Sequence, residues 1–311
     1  MLSHKHLIEI DEYTPEEVTE ILDTAERFKE VNDRTIKKLP TLRGRTVINL
    51  FLEPSTRTRT SFEIAGKRLS ADVINFSASS SSTKKGESLA DTGATLDAMD
   101  ADLVVVRSRQ EGAPRLLTRH MRAHVVNGGD GKHQHPTQAL LDAFTIRQHK
   151  DGFQGLKVGI VGDIAHSRVV GSLVPLLAML GAEPIVIGPP TLMPARPQLL
   201  GCTCAYALDD VLGELDIVYM LRIQMERLEG APIPSLREYQ MLYGIDERRM
   251  RVMKPDALIM HPGPINRGVE LTADAADSPR SVILNQVNAG VAVRMAVMYL
   301  LLGGDTDGLA S

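Results

Sequence analysis

Short runs that are apolar at every position alternate with amphipathic helical stretches along nearly the whole of this 311-residue chain. Leu103-Val104-Val105-Val106 is one such run and Ile217-Val218-Tyr219-Met220-Leu221 another. A strand that is apolar throughout, rather than at alternate positions, is covered on both faces, and parallel sheets flanked by helices are the architecture that does this. In the first half the pattern predicts strands at Thr46 to Leu52, Val73 to Phe76, Leu103 to Arg107 and His124 to Asn127. Helices are expected from about Arg57 to Leu69, Glu87 to Met99, Pro114 to Met121 and Thr137 to His149. The second half repeats the logic, with strands at Val158 to Val161, Pro184 to Ile187, Ile217 to Leu221 and Leu258 to Met260, and a last helix from Gln286 to Leu302. Ahead of all these, Thr14-Pro15-Glu16-Glu17 places Thr at an N-cap, Pro at the first helical position and Glu three residues after the cap, so a helix is expected to run to about Val31.

The polar, glycine-containing segment from Lys150 to Gly155 separates the two halves as a linker would, and the length suits two domains. A net charge of -4 gives no global pull toward nucleic acid or an acidic membrane face. The longest apolar stretches, Ser172 to Gly181 and Val291 to Leu302, are too short or too interrupted to span a bilayer, and the N-terminal residues lack a secretory cleavage pattern, so a cytoplasmic protein is expected. Cys202 and Cys204 lie one residue apart in an apparent strand, where a mutual disulfide is badly placed, and they read as small buried or half-buried residues.

The arginines are more telling than the net charge. Arg57, Arg59, Arg107, Arg109, Arg168 and Arg222 all fall where a predicted strand ends or the next helix begins, which points to a small anionic ligand. The strongest segment is Glu53-Pro54-Ser55-Thr56-Arg57-Thr58-Arg59-Thr60, joining an apolar strand to a helix. It sets hydroxyls, guanidinium groups and the free N–H groups of a helix N-terminus at the carboxyl end of a strand, an arrangement suited to phosphate. A solvated N-cap with surface arginines is the local alternative. The glycines of a Walker loop are missing, so a small phosphorylated ligand fits better than a nucleoside triphosphate.

His133-Gln134-His135-Pro136-Thr137-Gln138 opens another helix, with His135 and Gln138 three residues apart. No carboxylate or cysteine converges with His133 and His135, so no metal is expected. Arg107 closes its own strand at the same sheet edge as Ser55 to Arg57. His261-Pro262-Gly263-Pro264 closes another, where the flanking prolines remove amide donors and leave carbonyls free to accept from an –NH2 group, or simply make a rigid turn. The run Ser77 to Ser82, followed by Thr83-Lys84-Lys85-Gly86-Glu87, reads either as a flexible linker or as an active-site loop.

Ser-Thr-Arg-Thr-Arg, Lys-Lys-Gly-Glu, His-Pro-Thr-Gln and His-Pro-Gly-Pro, in this order and spacing, resemble the catalytic chains of the aspartate carbamoyltransferases over essentially the whole length. The resemblance implies an α/β fold of two doubly wound parallel-sheet domains. Residues 1–145 with 286–311 would bind carbamoyl phosphate, and 150–285 would bind aspartate. The activity implied is transfer of a carbamoyl group to L-aspartate, an early step of pyrimidine synthesis, with no cofactor.

By the same resemblance, Ser55, Thr56, Arg57, Thr58 and Arg107 would hold the phosphate, and Arg57, Thr58 and His135 would polarise the carbamoyl carbonyl. Gln138 and the carbonyls of Gly263 and Pro264 would orient the carbamoyl –NH2, while Lys85, Arg168, Arg222 and Gln224 would bind aspartate. Lys85 and a serine matching Ser81 would come from the neighbouring chain of a homotrimer, with regulatory chains or dihydroorotase as further partners in some members. Glu53 would pair with second-domain arginines as the cleft closes.

Three readings compete. Ornithine carbamoyltransferases share the phosphate half, but they carry His-Cys-Leu-Pro where this chain has His261-Pro262-Gly263-Pro264, and their cationic substrate does not call for Arg168 and Arg222. A dinucleotide-binding protein built on Val158-Gly159-Ile160-Val161-Gly162-Asp163 would need the fuller G-x-G-x-x-G fingerprint. A folded but inactive relative would have no need to keep polar residues together at five strand ends.

Overall fold

The computed structural model describes residues 2–77, 87–223 and 233–303. The chain forms two compact units, Met1–Phe144 with Asn288–Ser311 and Thr145–Val287. Among the described residues no helix is long and apolar enough to cross a membrane.

The first unit opens with α1 (Pro15–Asp33), whose start carries the expected capping box: Glu17 N–H donates to Thr14 Oγ1 at 3.2 Å and Thr14 N–H to Glu17 Oε2 at 3.0 Å. Two of the orphan donors at the helix start are thereby satisfied. Val18, Ile21, Leu22, Ala25 and Phe28 form its buried stripe. The sheet that follows consists of β1 (Thr46–Phe51), β2 (Asp72–Ser77), β3 (Leu103–Ser108) and β4 (His124–Asp130), in the order β2-β1-β3-β4 and parallel throughout. Helices α2 (Thr56–Arg68), α3 (Leu89–Ala98), α4 (Ala113–Leu117) and α5 (Pro136–His149) connect and follow the strands.

Every residue of β1 after Thr46 is buried. That is why its sequence is apolar at nearly every position, and Ile48, Leu50, Val104, Val106 and Val125 form one continuous cluster across three strands. Each such side chain contributes about 1.5–3 kcal/mol by leaving water.

The second unit holds β5 (Lys157–Val161), α6 (Arg168–Met179), β6 (Glu183–Ile187), β7 (Thr203–Ala205), β8 (Ile217–Met220), α7 (Leu236–Tyr243), α8 (Glu247–Val252), β9 (Leu258–Met260) and α9 (Ala273–Ala276). Its parallel sheet has the order β7-β6-β5-β8-β9. Two parallel sheets with covering helices are the expected α/β, doubly wound class.

The last helix, α10 (Ile283–Leu301), begins three residues earlier than expected. Val282 N–H bonds to Ile259 O at 3.0 Å, so the chain leaves the sheet edge and turns directly into helix. The division between units falls inside α5 and inside α10, while the polar segment 150–155 forms the turns after α5. Cys204 lies in β7, and both cysteines are free; burial pushes the Cys202 thiol up to about 11, where it is an inert side chain.

Candidate active site

In the first unit the chain passes from β1 to β2 on one side and from β3 to β4 on the other, so the switch point of the sheet lies between β1 and β3. Ligands of open α/β sheets bind outside the carboxyl ends of the strands at that point. Phe51 and Arg107 are register partners across it, and Leu52 N–H bonds to Arg107 O at 2.8 Å. β1 therefore delivers Ser55 to Thr58, and β3 delivers Arg107, to one sheet edge.

Ser55 is the N-cap of α2, with φ -159° and ψ 101°, yet its side chain makes no capping bond. The first-turn N–H groups of α2 have no partner within the helix. Thr56 and Arg57 are exposed there, Ser55 is half-buried and Thr58 is buried. Arg107 is fixed from three sides: Nε donates to Glu53 Oε1 at 2.8 Å, and Nη1 to Gly128 O at 3.1 Å and Thr58 Oγ1 at 3.4 Å. The result is a braced guanidinium beside the positive end of a helix dipole, an arrangement suited to an anion.

The segment after β4 sets His135. Asp130, fully buried, accepts from Gly112 N–H (2.8 Å), Asn127 Nδ2 (2.8 Å), Gln134 N–H (3.2 Å) and the His133 ring (3.1 Å). Burial alone would raise its pKa, but these donors hold it below the usual carboxylate range, and Asp130 in turn raises that of His133. Gln134 reaches the other way: its Oε1 accepts from Ile10 N–H (2.8 Å) and its Nε2 donates to Asp11 (2.7 Å). With the two preceding residues tied down, His135 is held as the residue before α5, where its carbonyl accepts from Gln138 N–H at 2.9 Å. The Gln138 side chain donates to buried Asp142 at 3.0 Å. Among the described residues no group of three or more His, Cys, Asp or Glu is placed to hold a metal ion.

In the second unit the switch point lies between β5 and β8, where Leu221 N–H bonds to Val161 O at 2.8 Å. Arg168 and Arg222 follow these two strands. Arg168 is the first residue of α6, whose N-cap Ser167 accepts from Val170 N–H. At 5% exposure it is a buried group rather than a surface arginine. Gly162, which follows β5, has φ +136°, and a Cβ there would stand 3.0 Å from Leu221 Cβ and 3.2 Å from Tyr239 Oη. This glycine serves close packing of strand ends.

After β9, Gly263 N–H donates to His261 Nδ1 at 2.7 Å, and the Gly263–Pro264 peptide is cis. Gly263 has φ +65°, which disfavours any side chain there. Sequence reasoning missed Asp130, Asp142, Asn266 and Glu270, all of which hold site segments in place. Only Asp130, the last residue of β4, carried a signal. Ser81, Lys85 and Gln224 lie outside the described residues.

Comparison with known proteins gives one answer. Residues 5–148 match the aspartate/ornithine carbamoyltransferase carbamoyl-P binding domain, and residues 154–301 the Asp/Orn binding domain of the same family. The aspartate carbamoyltransferase catalytic subunit of Acidothermus cellulolyticus is 56% identical over 306 residues, covering 98% of this chain and 95% of that one. The aspartate transcarbamoylase of Trypanosoma cruzi, solved with N-(phosphonacetyl)-L-aspartic acid, superposes with a TM-score of 0.87 at 31% identity, over 96% of each chain. The catalytic subunit of M. jannaschii aspartate transcarbamoylase does so with a TM-score of 0.84 at 36% identity, over 98% of this chain and 100% of that one.

Proposed function

The chain belongs to the aspartate/ornithine carbamoyltransferase family, and we propose that it is an aspartate carbamoyltransferase, joining the carbamoyl group of carbamoyl phosphate to the amino group of L-aspartate. The products are N-carbamoyl-L-aspartate and phosphate, at an early step of pyrimidine synthesis. The observation that carries the phosphate half is the α2 N-terminus, which Ser55 leaves without a side-chain cap beside a braced Arg107.

Ser55, Thr56, Arg57, Thr58 and Arg107 bind the phosphate. Arg57, Thr58 and His135 donate to the carbonyl oxygen as negative charge develops on it, and Gln138 with the Gly263 and Pro264 carbonyls accepts from the carbamoyl –NH2. Arg168, Arg222, Gln224 and Lys85 bind aspartate; an arginine matches a carboxylate with two parallel donors, which suits a dicarboxylate and not the cationic side chain of ornithine. The neutral α-amino group attacks the carbamoyl carbon, a tetrahedral intermediate forms, and phosphate leaves. No side chain becomes a covalent nucleophile. Positioning and preorganised donors supply the acceleration.

The carbamoyl phosphate unit is residues 1–145 with 286–311, and the aspartate unit 150–285. The working form is a cytoplasmic homotrimer in which Ser81 and Lys85 serve the neighbouring chain's site. The test is phosphate release from carbamoyl phosphate by the purified chain with L-aspartate or L-ornithine as acceptor. Release with aspartate alone is expected; release with ornithine alone would overturn the assignment of Arg168 and Arg222.

A further inference from the structure

Glu270 is fully buried, although removing a carboxylate from water is costly unless donors replace the lost hydration. Three donors do so. Oε1 accepts from Ile223 N–H at 2.8 Å and from Asn266 Nδ2 at 2.7 Å, and Oε2 accepts from Asn266 N–H at 2.8 Å. Asn266 Nδ2 also donates to Ile223 O at 3.1 Å, so both backbone polar groups of Ile223 are held by this pair.

Ile223 stands between Arg222 and Gln224, and Asn266 stands two residues after Pro264. One carboxylate thus ties the loop that follows β8 to the loop that follows β9. His261 completes the arrangement. Its Nδ1 accepts from Gly263 N–H, which places the proton of the neutral ring on Nε2, and Nε2 faces Glu270 Oε2 at 3.9 Å.

We infer that Glu270 is a positioning residue for the carbamoyl transfer: by holding Ile223 it sets the adjacent aspartate-binding Arg222 in register with the Gly263–Pro264 carbonyls that orient the carbamoyl –NH2. The inference rests on the roles given to Arg222, Gly263 and Pro264 in the preceding section. It extends them to a group that touches neither substrate and acts through the backbone of Ile223 and the side chain of Asn266. Misplacing a reacting group by about 1 Å can cost about a hundredfold in rate, so a clamp of this kind is read in kinetics as well as in stability.

The experiment uses steady-state kinetics of the full chain with Glu270→Gln, which keeps the size of the side chain but turns an –NH2 toward donors that need an acceptor. The expected result is an aspartate KM raised at least about tenfold and a kcat lowered at least about tenfold, with the carbamoyl phosphate KM moved less than about threefold. Asn266→Ala should move the same parameters in the same direction, and the double variant should be no worse than Glu270→Gln alone, because Asn266 acts through that carboxylate. A folded Glu270→Gln with both aspartate KM and kcat within about twofold of the parent, even if less heat-stable, overturns the inference. Should Glu270→Gln fail to fold, unchanged kinetics in Asn266→Ala overturn it instead. Arg222→Ala is measured alongside: no change in its aspartate KM would remove the loop reading and this inference together, whereas a sensitive Arg222→Ala beside an unmoved Glu270→Gln removes the inference alone.

Discussion

Arg107 Nε lies 2.8 Å from the carboxylate of Glu53, which is 5% exposed and belongs to the same compact unit. The family resemblance assigns Glu53 to arginines of the other domain. On the proposed role of Arg107, the pairing would give Glu53 a second task, aiming that guanidinium toward the phosphate. Glu53→Gln should therefore raise the carbamoyl phosphate KM about tenfold, since a hydrogen bond to a charged group contributes about 1.5–3 kcal/mol. Initial rates against each substrate decide: a rise confined to the aspartate KM would assign Glu53 to second-unit arginines alone.

Arg57, exposed in the first turn of α2, has no role in the core. Arg57→Ala should leave circular dichroism and the unfolding midpoint unchanged while lowering kcat at least about a hundredfold, the scale of one lost oxyanion donor. Unaltered turnover in the folded variant would remove Arg57 from the chemistry.

Arg249 is the opposite case. It is 2% exposed and donates to Asp209 (2.7 Å) and to the carbonyls of Gly244 (2.7 Å), Leu242 (2.8 Å) and Met241 (3.0 Å), closing the C-terminal end of α7. Arg249→Met strands those carbonyls and should cost about 3 kcal/mol of stability or more. Denaturant melts measure the loss, and KM values for both substrates should stay within about twofold in the folded variant.

His6 supplies a pH dependence. Burial, with help from Lys5, His124 and Arg115, lowers its pKa to about 4, and its Nδ1 accepts from Val125 N–H at 3.0 Å. Because the unfolded chain binds this proton near pH 6.5 and the folded chain only near pH 4, stability carries no penalty from His6 above about pH 6.5 and falls as pH drops through that window. His6→Asn, whose Oδ1 can replace the Nδ1 acceptor, should flatten the acid side of the stability curve between those limits. An unchanged slope would place the acid sensitivity elsewhere.

Much of the fold is legible in the order of residues alone. The inner strands β1, β3, β5 and β8 are apolar at successive positions because both faces are buried, and that pattern locates them to within a residue at each end. Thr14 and Glu17 announce α1 through chemistry that is local in sequence. The start of α10 escapes such reasoning because it is set by a bond from Val282 to Ile259, a contact with no local signature. Asp142, Arg249 and Glu270 are invisible for the same reason. Each is a polar residue whose meaning lies in partners brought close only by folding. Arg168 looks equally suited to a surface cap, and only its burial separates the two readings.

The α2 N-terminus, where Ser55 withholds its side chain, carries a consequence for stability. A bound phosphate would do for that helix what Ser, Thr or Asp does for others, so substrate becomes the missing end of a secondary-structure element. Folding and occupancy are then linked: inorganic phosphate at about a hundred times its dissociation constant should add about 2.7 kcal/mol to the unfolding free energy. In a cell the chain's heat tolerance would rise and fall with the supply of the compound it consumes.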